Sequence, residues 1–496
     1  MLGLRPRSPA SKENEVMNAL QRVWACQTPN SFGGRGGAAK LYTYYPHDAP
    51  AVPALDRACA ASYNLLSMNI VHVVQLYHPV ATGSARYFAE IGARLVAEGH
   101  QVTVLTSDAY DLEHFWMAGK RRAEPREEMY GGVRIVRLPV RRIPGPPIVY
   151  PLLRRAMVET SRVPGSELLL RHMATVTPQL PDLLPTLRSL GPIDLLHTTN
   201  ITLDFAIMPA QAFAKKQGVP FLVTPLMHLG EPGDTSLARY YSMRHQLAVL
   251  RASDRVLTMT EIERAYLASR GIAHERLRRV GVGVTPAELA GGDAARFRAE
   301  HAITGPIVLA IGAMARDKGT MHVVEAMQRL WADGSDATLV LIGAPLEHFS
   351  AFYERLPAEA KARIRLLAYA TDQTKRDALA AAALLTLPSR TDSFGIVFLE
   401  GWVYGLPVVG ARAGGVPDVI DDEQDGLLVP FGDVAALATA FRRLLDNPAE
   451  ARRMGETGRA KVVREFTWDQ VYQRVRAVYA EAVAPQPHPY SKGQRH

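Results

Sequence analysis

Apolar residues along the chain gather into short runs, each closed by a Gly-, Pro- or Asp-containing break. Asn69 to Tyr77 (NIVHVVQLY) is continuous and β-branched, which predicts a strand buried on both faces. A loop through His78-Pro79 and Thr82-Gly83-Ser84 follows. A helix is predicted over Ala85 to Glu98, ended by Gly99-His100, and a strand begins at Gln101. Further strands are predicted at Asp194 to His197, Phe221 to Pro225 and within Ala252 to Thr260. A second series comprises Ile307 to Gly312, Ala337 to Gly343, Ile364 to Tyr369, Ala382 to Leu387 and Pro407 to Gly410. Helical stretches stand between them, and Val434 to Asn447 reads as an amphipathic helix. Strands alternating with helices predict an α/β chain with parallel sheets.

The stretch that organises the second series is Pro388 to Gly432. A strand runs into a loop carrying Ser389, Arg390, Thr391 and Asp392. A helix then starts near Ser393 to Gly395 and ends at Gly405-Leu406-Pro407, and a strand leads to a flexible turn at Ala413-Gly414-Gly415. Such a helix start offers unpaired amides and a partial positive charge, which suit a phosphate. Ser393, Phe394, Gly395, Ile396 and Val397 are therefore candidate binding residues, with glycine allowing close approach to the backbone. Glu400 lies five residues past Gly395, about 7–8 Å along the axis at ~1.5 Å per residue. That offset matches the distance from a diphosphate to a ribose whose hydroxyls a carboxylate can bind. Asp392, ahead of the helix, reaches the other side of the phosphates, where a sugar would lie.

Asp392-Ser-Phe-Gly-Ile-Val-Phe-Leu-Glu400 resembles the E-x7-E motif of retaining glycosyltransferases of the GT-B fold, glycosyltransferase family 4. The similarity continues through Gly405-Leu-Pro-Val-Val, Ala413-Gly-Gly-Val-Pro-Asp418 and Asp425-Gly-Leu-Leu-Val. The resemblance implies an α/β GT-B architecture of two Rossmann-like domains facing a central cleft. An acceptor-side domain is expected over 68–287, a linker over 288–304 and a donor domain over 305–467. A helix over 468–484 is expected to cross back to the first domain. The resemblance also implies which residues act. Gly83 would lie beneath the donor diphosphate, His228 would contact the transferred sugar, and Lys318 would clamp the diphosphate. His228, Asp392 and Lys318 form the implied catalytic set. The sequence departs from the family pattern at three places. Asp392 replaces the usual Glu, about one methylene shorter. Ala313 stands where the family has an Arg, with Arg316 three residues on as a candidate substitute. Val282 replaces the Asn before Gly283.

The implied reaction moves a sugar from a nucleoside diphosphate sugar, of UDP or GDP type, to a hydroxyl acceptor with retention. The acceptor class (glycan, lipid or small molecule) stays open, in cell-envelope or polysaccharide synthesis. The donor is a co-substrate and no cofactor is expected. No D-x-D occurs in the chain, so metal-independent catalysis is expected. A sugar-nucleotide-binding protein of weakened activity is the alternative. A glycosidase using Asp392 and Glu400 is disfavoured, because the pair flanks a phosphate-type helix start. A dehydrogenase lacks its G-x-G-x-x-G after a strand.

Composition narrows the setting. The chain has 496 residues, 47% hydrophobic and 21% charged, with two cysteines, Cys26 and Cys59, and net charge +8. This fits a soluble protein of two or three domains without a disulfide framework, and a cytoplasmic location. No apolar run reaches the ~18–20 residues of a membrane span. Basic charge alone does not carry a nucleic-acid reading, and none is expected. Residues 1–67 lack periodicity and read as a disordered leader, and Met68 reads as an alternative start of translation. Residues 485–496 read as a disordered tail. Arg141 to Met173 sets Arg141, Arg142, Arg154, Arg155, Arg162 and Arg171 among apolar residues. It reads as a contact with an anionic membrane at the inner face of the plasma membrane, a frame for the acceptor, or a solvated helix or lid. Pro144, Pro146, Pro147 and Pro151 favour the last, because they break a long amphipathic helix.

Overall fold

The computed structural model describes residues 67–484 except Ala81 and Tyr369. The leader, apart from Ser67, and the tail lie outside the described residues, as do both cysteines. The first sheet contains β1 (Asn69–Val73), β2 (Gln101–Ser107), β3 (Glu127–Tyr130), β4 (Val133–Leu138), β5 (Leu195–Thr199), β6 (Phe221–Thr224), β7 (Arg255–Thr258) and β8 (Leu277–Arg279). Its order is β3-β4-β2-β1-β5-β6-β7-β8, parallel except for the β3–β4 hairpin at one edge. The second holds β9 (Ile307–Ile311), β10 (Thr338–Ile342), β11 (Ile364–Leu367), β12 (Leu384–Leu387), β13 (Val408–Ala411) and β14 (Gly426–Val429). Its order is β11-β10-β9-β12-β13-β14, and every pairing is parallel.

Strand order decides where a ligand can sit. In a doubly wound sheet, successive connections leave two central neighbours in opposite directions, and a crevice opens at their carboxyl ends. In the second sheet those neighbours are β9 and β12, paired through Leu309↔Leu385 and Ala310↔Thr386. In the first they are β1 and β5, paired through His72↔His197.

One expectation needs correcting. The region expected to be a linker, 288–304, contains the helix Ala294–His301. Asp293 caps it, Phe297 is buried, and Arg296 makes a two-point contact with Asp377 of the second unit. Its Ala and charged residues are good helix formers, a composition that also suits a linker. The chain passes between units earlier, where Val284 N–H donates to Phe466 O at 2.9 Å and Trp468 N–H to Val284 O at 3.1 Å. As expected, no long helix runs through the segment 141–173, and Pro164 stands in the turn between the helices Val149–Thr160 and Glu167–Val176. Pro144, Pro146 and Pro147 precede the helix Val149–Thr160, and Pro151 occupies its first turn, where no N–H partner is lost. The six arginines of this segment differ in exposure. Arg154 is buried and its guanidinium donates to both oxygens of Asp204 at 2.8 Å.

The last helix, Trp468–Val483, lies against the first unit. The hydroxyl of Tyr479 meets two fully buried imidazoles, His72 Nε2 at 3.0 Å and His197 Nδ1 at 2.7 Å. His197 Nε2 meets Thr224 Oγ1 at 2.8 Å. Both histidines stay neutral, because burial pushes their pKa down, that of His72 to about 3. The unfolded chain, in which histidine titrates near 6.5, takes up protons that the fold refuses. This contribution to stability is intact above about pH 6.5 and is lost as pH falls toward 3. Tyr479→Phe should cost about 1–3 kcal/mol at neutral pH. Denaturant unfolding of both forms checks this, and an unchanged midpoint would mean that the network contributes nothing to stability.

Candidate active site

A cleft of about 560 Å³ is lined by loops from the carboxyl ends of strands in both sheets. After β1 come Gly83 and Arg86, after β5 Asn200, and after β6 His228. After β9 come Ala313 and Lys318, and after β12 come Asp392 through Val397, with Glu400 deeper on the helix.

The second unit supplies the charged centre. Lys318 Nζ donates to Asp392 Oδ2 at 3.1 Å, joining the loop after β9 to the loop after β12. Burial alone would push the Asp392 carboxyl up. The charge of Lys318 and hydrogen bonds from Ser389 and Lys318 outweigh that and hold it below the usual carboxylate range. Asp392 is therefore ionised at neutral pH. Asp317, also buried, braces the same two loops. It accepts from Thr391 Oγ1 at 3.1 Å, and its backbone carbonyl accepts from Arg390 N–H at 2.9 Å.

The helix after β12 is Ile396–Val403, and Gly395 sits at its N-cap with φ +89°. A Cβ there would come within 2.6 Å of the Phe398 ring, so the left-handed turn and the space both require glycine. The turn expected to be flexible at Gly414-Gly415 is instead a close support. Side chains there would strike the carbonyls of Asp392 and Ser393 at 2.1 and 2.0 Å, and Gly415 N–H donates to Asp392 O at 2.9 Å. Glu400 accepts from Lys375 Nζ at 2.9 Å, and both side chains are over nine-tenths buried. Lys375 was not foreseen. It stands on the helix Asp372–Ala381, one turn from its Thr371 cap, where its spacing with buried Ala378 and Leu379 gives the only sequence signal that it faces inward.

The first unit contributes His228, buried and in contact with the second unit through Nδ1 and Thr391 O. A carbonyl only accepts, so Nδ1 carries the proton. Burial is the main cause of a lowered His228 pKa, so the ring is neutral and Nε2 keeps its lone pair. Nε2 can therefore accept from a hydroxyl. Gly83 opens the helix Gly83–Ala97 behind the Thr82 cap, and no atom lies within 4 Å of where its Cβ would be.

The structure thus brings together Gly83, His228, Lys318, Asp392, Ser393, Phe394, Gly395, Ile396, Val397 and Glu400. It does not bring Arg316 with them. Arg316 is exposed, absent from the cleft lining, and its charge acts on His322. Ala313 does line the cleft, so the cation missing there is not restored by Arg316. Other cations do line it. Arg86 pairs with Glu288 at 2.5 Å, and Arg376 donates to Gln373 Oε1 at 2.7 Å.

With this geometry in view, comparison with known proteins is informative. The family described as "Glycosyl transferases group 1" matches residues 293–461, and the "Glycosyl transferase 4-like domain" matches 82–283. Together they span both units and the cleft between them. The chain belongs to the group 1 glycosyltransferases. Among its relatives, a D-inositol 3-phosphate glycosyltransferase of Acidothermus cellulolyticus is 34% identical over 248 residues, covering 48% of this chain and 55% of that protein. A GDP-mannose-dependent monoacylated alpha-(1-6)-phosphatidylinositol monomannoside mannosyltransferase of Corynebacterium glutamicum is 29% identical over 198 residues, covering 38% of this chain and 51% of that protein. The matched part spans about half the length of these relatives. Among solved structures, sucrose-phosphate synthase from Thermosynechococcus elongatus aligns with TM-score 0.62 at 22% identity, over 83% of this chain and 98% of that one. HepE from Anabaena, in complex with UDP and glucose, aligns with TM-score 0.62 at 14% identity, over 84% of this chain and all of that one. These likenesses show the GT-B fold.

Lys375→Met should destabilise the ligand-free protein by about 1–3 kcal/mol, because the Glu400 carboxylate loses a buried cationic partner. Adding Glu400→Gln should recover part of that loss in thermal unfolding. Losses that simply add in the double variant would mean that the two side chains do not act as a pair.

Proposed function

We propose that this protein is a retaining glycosyltransferase that moves a sugar from a nucleoside diphosphate sugar to a hydroxyl acceptor. The observation that carries the reading is the convergence of Lys318, Asp392, the Gly395 helix start and Glu400 in one cleft. The diphosphate lies at the amides of the helix Ile396–Val403, with Lys318 beside it. Glu400, oriented by Lys375, accepts from the ribose hydroxyls. The sugar extends toward Asp392 and His228, whose Nε2 accepts from one of its hydroxyls. The acceptor enters from the side of Gly83 and Asn200.

In the reaction the bond between the anomeric carbon and the leaving phosphate oxygen breaks, and the acceptor oxygen bonds to the same face. The acceptor's proton passes to the departing phosphate. Negative charge grows on that phosphate, and Lys318 with the helix start is placed to stabilise it, without a metal ion. The ionised Asp392 faces the positive charge that develops at the sugar. The donor is of UDP or GDP type, and the acceptor is a glycan, lipid or small molecule of envelope or polysaccharide synthesis. The protein acts in the cytoplasm or peripherally at the inner face of the membrane. No helix among the described residues is long and apolar enough to cross a membrane.

A sugar-nucleotide-binding protein of weakened activity is the second reading. It is favoured by Ala313, which leaves the diphosphate with one cation fewer from that loop. Against it, the short Asp392 still meets Lys318.

Thermal unfolding with a panel of UDP-, GDP- and ADP-sugars and EDTA is the test. One donor should raise the melting temperature, Glu400→Ala should abolish the rise, and proton NMR of the product should show the donor's anomeric configuration. Donor binding without transfer or hydrolysis would favour the second reading. No shift with any nucleotide sugar would sink both.

A further inference from the structure

Eight large hydrophobic side chains are exposed among the described residues, and six of them fall within one short segment: Ile143, Val149, Leu152, Val163, Leu168 and Leu169. Leu168 is 81% exposed and Val163 58%. The segment is the helical pair Val149–Thr160 and Glu167–Val176, with the loop before it and the turn between. Its inner side is fixed. Arg154 is tied to Asp204, which His245 Nε2 also meets at 2.9 Å, and Tyr150 stacks on Trp116 at 5.7 Å. Leu170 and Ala174 are buried against the first unit. The pair is therefore held in place with these aliphatic side chains turned to solvent, and such a concentration within one segment points to an interaction site.

Charge says what fits that face. Residues 141–173 contain six arginines and two glutamates. Arg141, Arg155 and Arg162 are exposed beside the aliphatic residues, and Glu159 is engaged by Arg162 at 2.9 Å. Exposed aliphatic side chains interspersed with exposed arginines match an anionic bilayer surface, where the apolar groups enter the acyl boundary and the guanidinium groups meet phosphates. A second copy fits poorly. It would set these arginines against each other on chains that each carry net charge +8, and no exposed aromatic anchor stands among them.

We propose that this helical pair docks the protein on an anionic membrane surface. The placement is consistent with use of the cleft, since Asp204, which anchors the pair, lies four residues from Asn200 in the cleft wall. The inference rests on the transferase reading only for what reaches the cleft from that surface, an acceptor held in or at the bilayer.

The test is sedimentation of the full chain with phosphatidylcholine vesicles, with and without phosphatidylglycerol. The wild type should bind only the anionic vesicles, and binding should weaken with salt. Leu152→Ser/Val163→Ser/Leu168→Ser/Leu169→Ser should lower binding by ~10-fold or more while melting is unchanged. Arg141→Gln/Arg155→Gln/Arg162→Gln should remove the preference for anionic lipid. Equal binding by the serine variant, failure of the wild type to bind, or a wild-type dimer that the serine variant turns into a monomer would overturn the proposal. The nucleotide-sugar melting shift, measured on the same proteins without vesicles, reports on the cleft independently. Vesicle binding without that shift leaves the docking surface and removes the transferase, and the opposite result does the reverse.

Discussion

Between β9 and β12 the backbone leaves two neighbouring strands toward opposite faces of the sheet, and neither connection covers the gap at their carboxyl ends. That topological constraint precedes any side-chain chemistry. It brings the loop bearing Lys318 and the loop bearing Asp392 to one crevice, although 74 positions separate them in sequence. The ammonium–carboxylate contact then fixes the loops relative to each other, and Asp317 behind it ties the same loops a second time through Thr391 and Arg390. Because the cation keeps Asp392 ionised despite burial, the site holds a positive and a negative group side by side. A dipolar arrangement of this kind suits a reaction in which a phosphate gains negative charge while a sugar carbon gains positive charge.

The first unit reaches the same loops from the other side. The stretch after β6 touches the second unit through the His228 ring at Thr391 O and through Gly230 O, which accepts from Gly414 N–H at 2.7 Å. Arg390 adds ion pairs with Glu231 and Asp234. The glycine turn at 414–415 thus presses on the Asp392 loop and bonds to the first unit at once. One small group of backbone and side-chain contacts bears on both the cleft and the junction of the two units.

Much of this was legible in the sequence because buried parallel strands read as continuous apolar runs. β1, β6, β9, β10 and β12 all fall within such runs, and the helix after β12 announces itself by glycine on both sides. β3, at the sheet edge, opens with Glu127 and Glu128, β4 is interrupted by Arg134 and Arg137, and β8 is three residues long with two arginines, so none of the three forms a run. The helix inside the expected linker went unseen because Ala and charge favour a helix and a tether alike. Motif spacing led to Lys318, Asp392 and Glu400, whose positions follow from strand order. It did not lead to Lys375, which reaches Glu400 from another helix, nor did it reveal that Arg316 points outward. The prolines of 141–173 confine its helices to two short ones, as expected. A proline's effect depends on its place relative to a helix start, and that place is set by packing.

The His72–Tyr479–His197 contact gives the fold a direction in time. β1 and β5 are among the first parts of the described chain to be made, and their paired imidazoles face each other early in synthesis. The hydroxyl that satisfies both belongs to the final helix, made after the whole second unit. Until that helix emerges, the first unit carries two polar rings in its core without the group that joins them, and the surface that Trp468 to Val483 will cover stays wet. The first unit thus waits for its last element while the second unit is made, and the nascent first half must be tolerated in that incomplete state.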